Sequence, residues 1–187
     1  MRVISGEYGG RPLKSVKGNS TRPTTDKIKE SLFQVIGPYF DGGKALDLFA
    51  GSGALGIEAV SRGMDEAYLI DMNPQAIAVI RENIKMTKEE SKFTVMKSKD
   101  KSAISQLSSK EIKFDLVFLD PPYADQGITS VMQDLIKNDL LNDGAIIVCE
   151  TDKFSEVISD NPQLILFKEK IYGQTKLSLF ERTLQDV

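Results

Sequence analysis

The chain has 187 residues, with 24 Lys and Arg against 27 Asp and Glu, one Cys and no His; that length holds one domain with a real core. The absence of His excludes Ser-His-Asp catalysis and the usual zinc sites, so no metal is expected. A single thiol, Cys149 in the apolar run 145–149, excludes an intrachain disulfide and is expected to be reduced and buried, as in a cytoplasmic protein.

No stretch approaches the roughly 20 apolar residues of a membrane span, and the opening residues show no apolar core of a signal peptide. The small net negative charge hides an asymmetry. Residues 1–29 carry Arg2, Arg11, Lys14, Lys17, Arg22, Lys27 and Lys29 against only Glu7 and Asp26, and the remainder is acidic. A basic head on an acidic body fits either contact with a polyanion or a solvated basic face.

Residues 2–5 and 11–16 read as two short strands of a hairpin around Gly6–Gly10. Residues 17–25 read as loop. Thr24 or Thr25 can cap a helix running to Ile36, with Ile28, Leu32, Val35 and Ile36 on one face. From residue 44, strand and helix alternate. The strands are expected over 44–49, 66–71, 93–96, 114–119 and 144–149. The helices are expected over 53–62, 74–86, 101–109, 126–137 and 153–160. Strands such as 115–119 are apolar without alternation, as when helices cover both faces of a parallel sheet. The last two apolar segments, 164–171 and 176–181, lie too close together for a crossover helix and should pair antiparallel. Residues 1–20 form the one candidate appendage, and 21–187 form an α/β domain.

The first strand of that domain ends in Asp47-Leu48-Phe49-Ala50-Gly51-Ser52-Gly53-Ala54-Leu55-Gly56. Gly51, Gly53 and Gly56 match G-x-G-x-x-G, with Asp71 at the end of the second strand to take ribose hydroxyls. Taken alone, the pattern also fits a dinucleotide fingerprint. Asp47 argues against that reading, because a carboxylate before the turn repels a pyrophosphate. It favours a ligand carrying an ammonium and a sulfonium, and the stretch resembles motif I of class I S-adenosylmethionine-dependent methyltransferases. Phe49, Ala50, Gly51, Ser52 and Gly53 would then form the turn around the cofactor, Met72 would flank the adenine, and Asp100 is the candidate for the adenine amino group.

The fourth strand ends in Asp120-Pro121-Pro122-Tyr123, at the edge of the sheet where open α/β folds bind ligands. An amino group on an aromatic base is a poor nucleophile because its lone pair is delocalised. Asp120 and the Pro121 carbonyl can each accept one of its N–H groups and aim the lone pair at a methyl donor. Pro121 and Pro122 stiffen the loop, and Tyr123 can stack on the base. The motif is shared by adenine-N6, guanine-N2 and protein-glutamine methyltransferases.

Four segments in order, 22–33, 46–59, 118–123 and 172–175, together with the opening Arg2–Gly6, resemble the bacterial 16S ribosomal RNA guanine-N2 methyltransferase family over nearly the whole chain. The resemblance implies a Rossmann-like, seven-stranded sheet closed by an antiparallel hairpin, S-adenosylmethionine as cofactor, and a small-subunit RNA or assembly particle as partner. It implies further that Arg22, Thr24 and Lys27 sit over the cofactor and substrate mouth. The N-terminal hairpin, with Arg11, Lys14 and Lys17, would touch RNA. The chain departs from the pattern in carrying Lys99 where many relatives carry Asp, with Asp100 one position late. A DNA adenine-N6 enzyme is disfavoured because no segment is long enough to read base edges, and a non-catalytic binder because Asp120–Tyr123 is intact.

Overall fold

The computed structural model describes residues 1–17, 25–122 and 126–184; Arg22, Thr24 and Tyr123 lie outside them. The first helix, α1 (Asp26–Ile36), starts where Thr25 Oγ1 accepts the Ile28 amide at 3.2 Å, and it buries Ile28, Lys29, Leu32 and Phe33. The α/β repeat follows as β1 (Lys44–Asp47), α2 (Ala54–Ser61), β2 (Glu66–Asp71), α3 (Pro74–Thr87), β3 (Phe93–Lys97), α4 (Asp100–Ser109), β4 (Phe114–Leu119), α5 (Gln126–Lys137) and β5 (Leu141–Asp152), and β6 (Leu164–Tyr172) and β7 (Thr175–Arg182) close the sheet. Asn73 caps α3 by accepting the Gln75 amide, and Pro74 occupies its first turn, where a missing N–H costs nothing.

The seven strands lie in the order β3-β2-β1-β4-β5-β7-β6. The first five are mutually parallel, and β7 runs antiparallel to both β5 and β6. This is the class I methyltransferase arrangement, with the expected antiparallel hairpin at its end. Helices α1, α2 and α3 pack one apolar layer on the sheet, and α4 and α5 pack the other. The connection leaving β1 runs to β2 on one side, and the connection leaving its neighbour β4 runs to β5 on the other. Such a switch point opens a crevice at the carboxyl ends of the central strands. Cys149 is buried in the α4–α5 layer, its Sγ 3.8 Å from Met132 Sδ.

Two expectations are corrected. Residues 153–160 are not helical. Strand β5 continues to Asp152, paired through Asp152↔Thr175, and the chain then turns as Phe154 and Ser155 donate to Asp152. The N-terminal segment is no extended hairpin either. It holds a single antiparallel bridge, Arg2↔Pro12, flanked by the bonds of Val3 to Arg11 and Gly10 to Val3.

That segment is tied down by buried charge. Val3, Tyr8 and Leu13 enter the same core layer as α1–α3. Fully buried Glu58, on α2, accepts the amides of Ile4 and Ser5 at 2.9 and 3.1 Å, the Arg62 guanidinium at 2.8 Å and the Lys29 ammonium at 3.5 Å. Lys29 Nζ also donates to the Arg2 carbonyl at 2.6 Å. Every partner of the buried carboxylate is therefore either a cation or a backbone donor, which is what its desolvation requires. Gly6 (φ +91°) permits the close passage over α2, since a Cβ there would lie 1.9 Å from the Ser61 carbonyl oxygen.

Candidate active site

The crevice at the switch point is a cavity of about 530 Å³. Its floor is the turn after β1. Gly51 takes φ +58° and Gly53 φ +84°, conformations open to glycine, and Gly53 caps α2 behind the turn. Asp71, at the end of β2, holds this turn by accepting the Gly51 amide at 2.9 Å, and its other oxygen accepts the Asn73 amide at 2.9 Å. A carboxylate has about four acceptor positions, so two remain for ribose hydroxyls.

Asp47, Phe49, Ala50, Gly51, Ser52 and Asp71 all line the cavity, as do Met72, Asp100, Asp120 and Pro122. The structure thus brings together residues singled out at four separate strand ends. Met72 is 58% exposed, an apolar side chain standing open beside the turn. Asp100 opens α4, so the one-position shift from the family pattern still leaves a carboxylate on the wall. Pro121 is half-buried between Asp120 and Pro122.

The electrostatics of the cavity are acidic. Asp47 is buried, with Oδ1 accepting the Phe49 amide at 3.1 Å. Burial pushes its carboxyl up to about 7; the Phe49 bond opposes this, while the nearby charges of Asp71 and Glu150 add to it. Asp120 is raised further above the carboxylate range, first by burial and then by the charges of Glu150 and Asp47. Two strained carboxyls side by side gain from a cation placed between them. S-adenosylmethionine carries an ammonium, a sulfonium, a ribose and an adenine. Asp47, Asp71, Met72 and Asp100 offer this cavity a partner for each part, so the residues present fit the group.

Several wall residues escaped the sequence reading. Met1, Ser15 and Val16 close the cavity from the N-terminal segment, and Asn73 and Ser98 border it. Asn83 on α3, only 2% exposed, ties that segment to the turn. Its carboxamide accepts the Lys14 amide at 2.9 Å and donates to the carbonyls of Lys14 and Ser52 at 3.0 and 2.8 Å. Polar and nearly buried on a helix, Asn83 carries a signal only in hindsight.

The basic residues divide. Lys14, Lys17 and Lys27 are exposed, Lys14 pairing with Glu82 at 3.0 Å across the surface. Arg11 is committed to the fold. Its guanidinium donates to the Met86 and Thr87 carbonyls at the end of α3 and lies 5.3 Å over the Tyr8 ring. No described helix is long and apolar enough to cross a membrane.

Comparison with known proteins agrees with the geometry. The family model described as Conserved hypothetical protein 95 matches residues 1–181. The Ribosomal RNA small subunit methyltransferase D of Escherichia coli K12 is 32% identical over 99% of this chain and 91% of its own length, and that of Haemophilus influenzae 30% over 97% and 93%. A solved structure, a conserved hypothetical protein of Streptococcus pyogenes, is 46% identical with a TM-score of 0.78, covering 83% of this chain and 95% of that one. Matched by that family model over residues 1–181 and by these relatives over nearly its full length, and built on the sheet of class I methyltransferases, the chain belongs to the Conserved hypothetical protein 95 family of class I methyltransferases.

Proposed function

We propose that the chain transfers a methyl group from S-adenosylmethionine to the exocyclic N2 amino group of a guanine in 16S ribosomal RNA, free or within an assembling small subunit, in the cytoplasm. The observation that carries the reading is the meeting of Asp47 and Asp120, from adjacent strands, in one cavity with the glycine turn. The names of the relatives that this chain matches end to end support a ribosomal RNA substrate.

When bound, S-adenosylmethionine supplies an electrophilic methyl: the new N–C bond forms as the S–C bond breaks, and that electron pair stays on sulfur. Asp47 would hold the cationic amino-acid end of the cofactor, and Asp71 its ribose hydroxyls. Asp120 accepts one N–H of the target amine and the Pro121 carbonyl the other, which turns the nitrogen lone pair out of conjugation. Pro122 keeps that corner rigid, with stacking on the base assigned to Tyr123 by the sequence motif alone, and the base must leave its own stack to reach the site. Lys14, Lys17 and Lys27 take phosphates around the mouth, with Arg22 and Thr24 assigned there by the resemblance.

The test is incubation of the protein with labelled S-adenosylmethionine and small-subunit RNA or particles from cells lacking it, followed by nucleoside analysis. Labelled N2-methylguanosine is expected. Label in N6-methyladenosine, or none in RNA, would overturn the reading.

A further inference from the structure

The stretch from Lys14 to Lys17 presents two sides. Ser15 and Val16 line the cavity, while Lys14 and Lys17 are exposed. One short piece of chain is thus both a wall of the cofactor site and a basic strip at its rim. Just before it, Leu13 is buried in the core layer of α1–α3, and its amide donates to the Met1 carbonyl at 2.9 Å. The Lys14 ammonium meets Glu82 across the surface, a pair that an RNA phosphate can replace.

The Lys14 backbone is held by Asn83. The carboxamide oxygen accepts the Lys14 amide and one N–H donates to the Lys14 carbonyl, so a side chain pairs with both backbone groups of one residue as a neighbouring strand would. The carboxamide also donates to the Ser52 carbonyl at 2.8 Å, inside the glycine turn. Asn is a mediocre helix former, and Asn83 lies on the buried side of α3 with Ile80 and Ile84. Its bonds reach residues 69 and 31 positions away, so they serve the segment and the turn rather than the helix.

We propose that Asn83 is a positioning residue that couples the two ligands of this site: through it, S-adenosylmethionine and RNA each tighten the binding of the other. The inference rests on the reading that Lys14 and Lys17 meet RNA phosphates. A cofactor in the cavity would touch a lining that includes Ser15, Val16 and Ser52. The fork fixes the Lys14 backbone relative to the turn, so a bound cofactor holds the outer lysines in one place. RNA then meets lysines already ordered and loses less conformational entropy on binding. Linkage makes the effect reciprocal, and RNA raises cofactor affinity by the same factor.

The experiment has two arms. In the first, affinity for a labelled small-subunit RNA fragment is measured by anisotropy with and without saturating S-adenosylhomocysteine, which has no methyl to transfer. Affinity for S-adenosylhomocysteine is measured by calorimetry with and without that RNA. In the wild type the two factors should be equal, roughly fivefold or more. Asn83→Asp keeps the acceptor for the Lys14 amide but loses both donors, and Asn83→Ala loses all three bonds. The factor should fall to near one in both. A purely structural loss would weaken each ligand alone and leave the factor unchanged. The added charge of Asp cancels as well, because the factor compares one protein with itself. In the second arm, hydrogen exchange is followed by NMR in the absence of RNA. S-adenosylhomocysteine should slow exchange of the Lys14 amide and the Asn83 carboxamide in the wild type, and the Lys14 effect should vanish in Asn83→Asp. A wild-type factor of one, or an undiminished factor in a folded variant, would overturn the inference. So would wild-type exchange at Lys14 that ignores the cofactor, a result that needs no variant to fold. If the wild type binds no small-subunit RNA, the ribosomal RNA reading falls, and the exchange arm alone decides whether the cofactor holds this segment through Asn83.

Discussion

Asp47 should make the protein less stable at the pH where it works, and Asp47→Asn should reverse that while crippling cofactor binding. The buried carboxyl is raised to about 7 from an ordinary value of 3.8. Between those values the unfolded chain has lost the proton that the folded chain keeps, so stability falls as pH rises, by about 1.4 kcal/mol per unit. The contribution is intact below the unfolded value and fully lost above about 7, a total on the order of 4 kcal/mol, of which about 3 kcal/mol falls between roughly pH 5 and pH 8. An Asn in the same place has no proton to lose, and its amide oxygen can still accept the Phe49 amide. Urea denaturation of both proteins without cofactor across that range reads the effect together with the relief of Asp120, whose carboxyl the Asp47 charge also raises. The stability advantage of Asp47→Asn should grow steadily with pH. S-adenosylmethionine affinity, measured by calorimetry, should drop by about 1–3 kcal/mol through loss of a charge-assisted bond. Parallel stability curves for the two proteins would refute the argument, as would unaltered cofactor affinity.

Other substitutions separate the roles. Asp120→Ala should lower kcat on the order of a hundredfold with cofactor affinity nearly intact, and Asp120→Asn should be milder; near-normal single-turnover methylation by a folded Asp120→Ala protein would remove the corner from the mechanism. Neutralising Lys14, Lys17 and Lys27 together should weaken RNA binding and flatten its salt dependence by about one slope unit per lost phosphate contact, as filter binding at several salt concentrations would show. Arg11→Ala should leave that slope alone and lower stability by about 1–2 kcal/mol, through its bonds to the end of α3; a changed slope would place Arg11 on the RNA after all. Glu58→Gln should cost about 3–5 kcal/mol in denaturant, since Lys29 and Arg62 would stay buried without their counter-charge.

Much of the architecture was legible because the strands are covered on both faces. The apolar run Leu116–Leu119 marks an inner strand, and the observed bounds of β4, Phe114–Leu119, coincide with the expected ones. Residues 153–160 misled for a physical reason. Phe154, Val157 and Ile158 have the spacing of a helical stripe, yet only Val157 is buried, and the register of β5 on β7 decides what the chain does there. Charge counting misled at the N-terminus in the same way. Lys29 is wholly buried against Glu58, and Arg11 caps a helix 75 positions away, pairings that no local window contains. Asp47 and Asp120 were readable because each ends a recognisable strand.

The carboxamide of Asn83 joins two stretches of chain that face different ways. The stretch ending in Lys14 and Lys17 looks outward, and the turn at Ser52 looks into the cavity, and both hang on the same two-atom fork. An Asp in its place could accept but not donate, and a Leu could do neither. Either change would let the two stretches drift independently, like a door and its frame after the hinge pin is drawn. One side chain thus fixes the distance from the outward-facing stretch to the turn that floors the cavity.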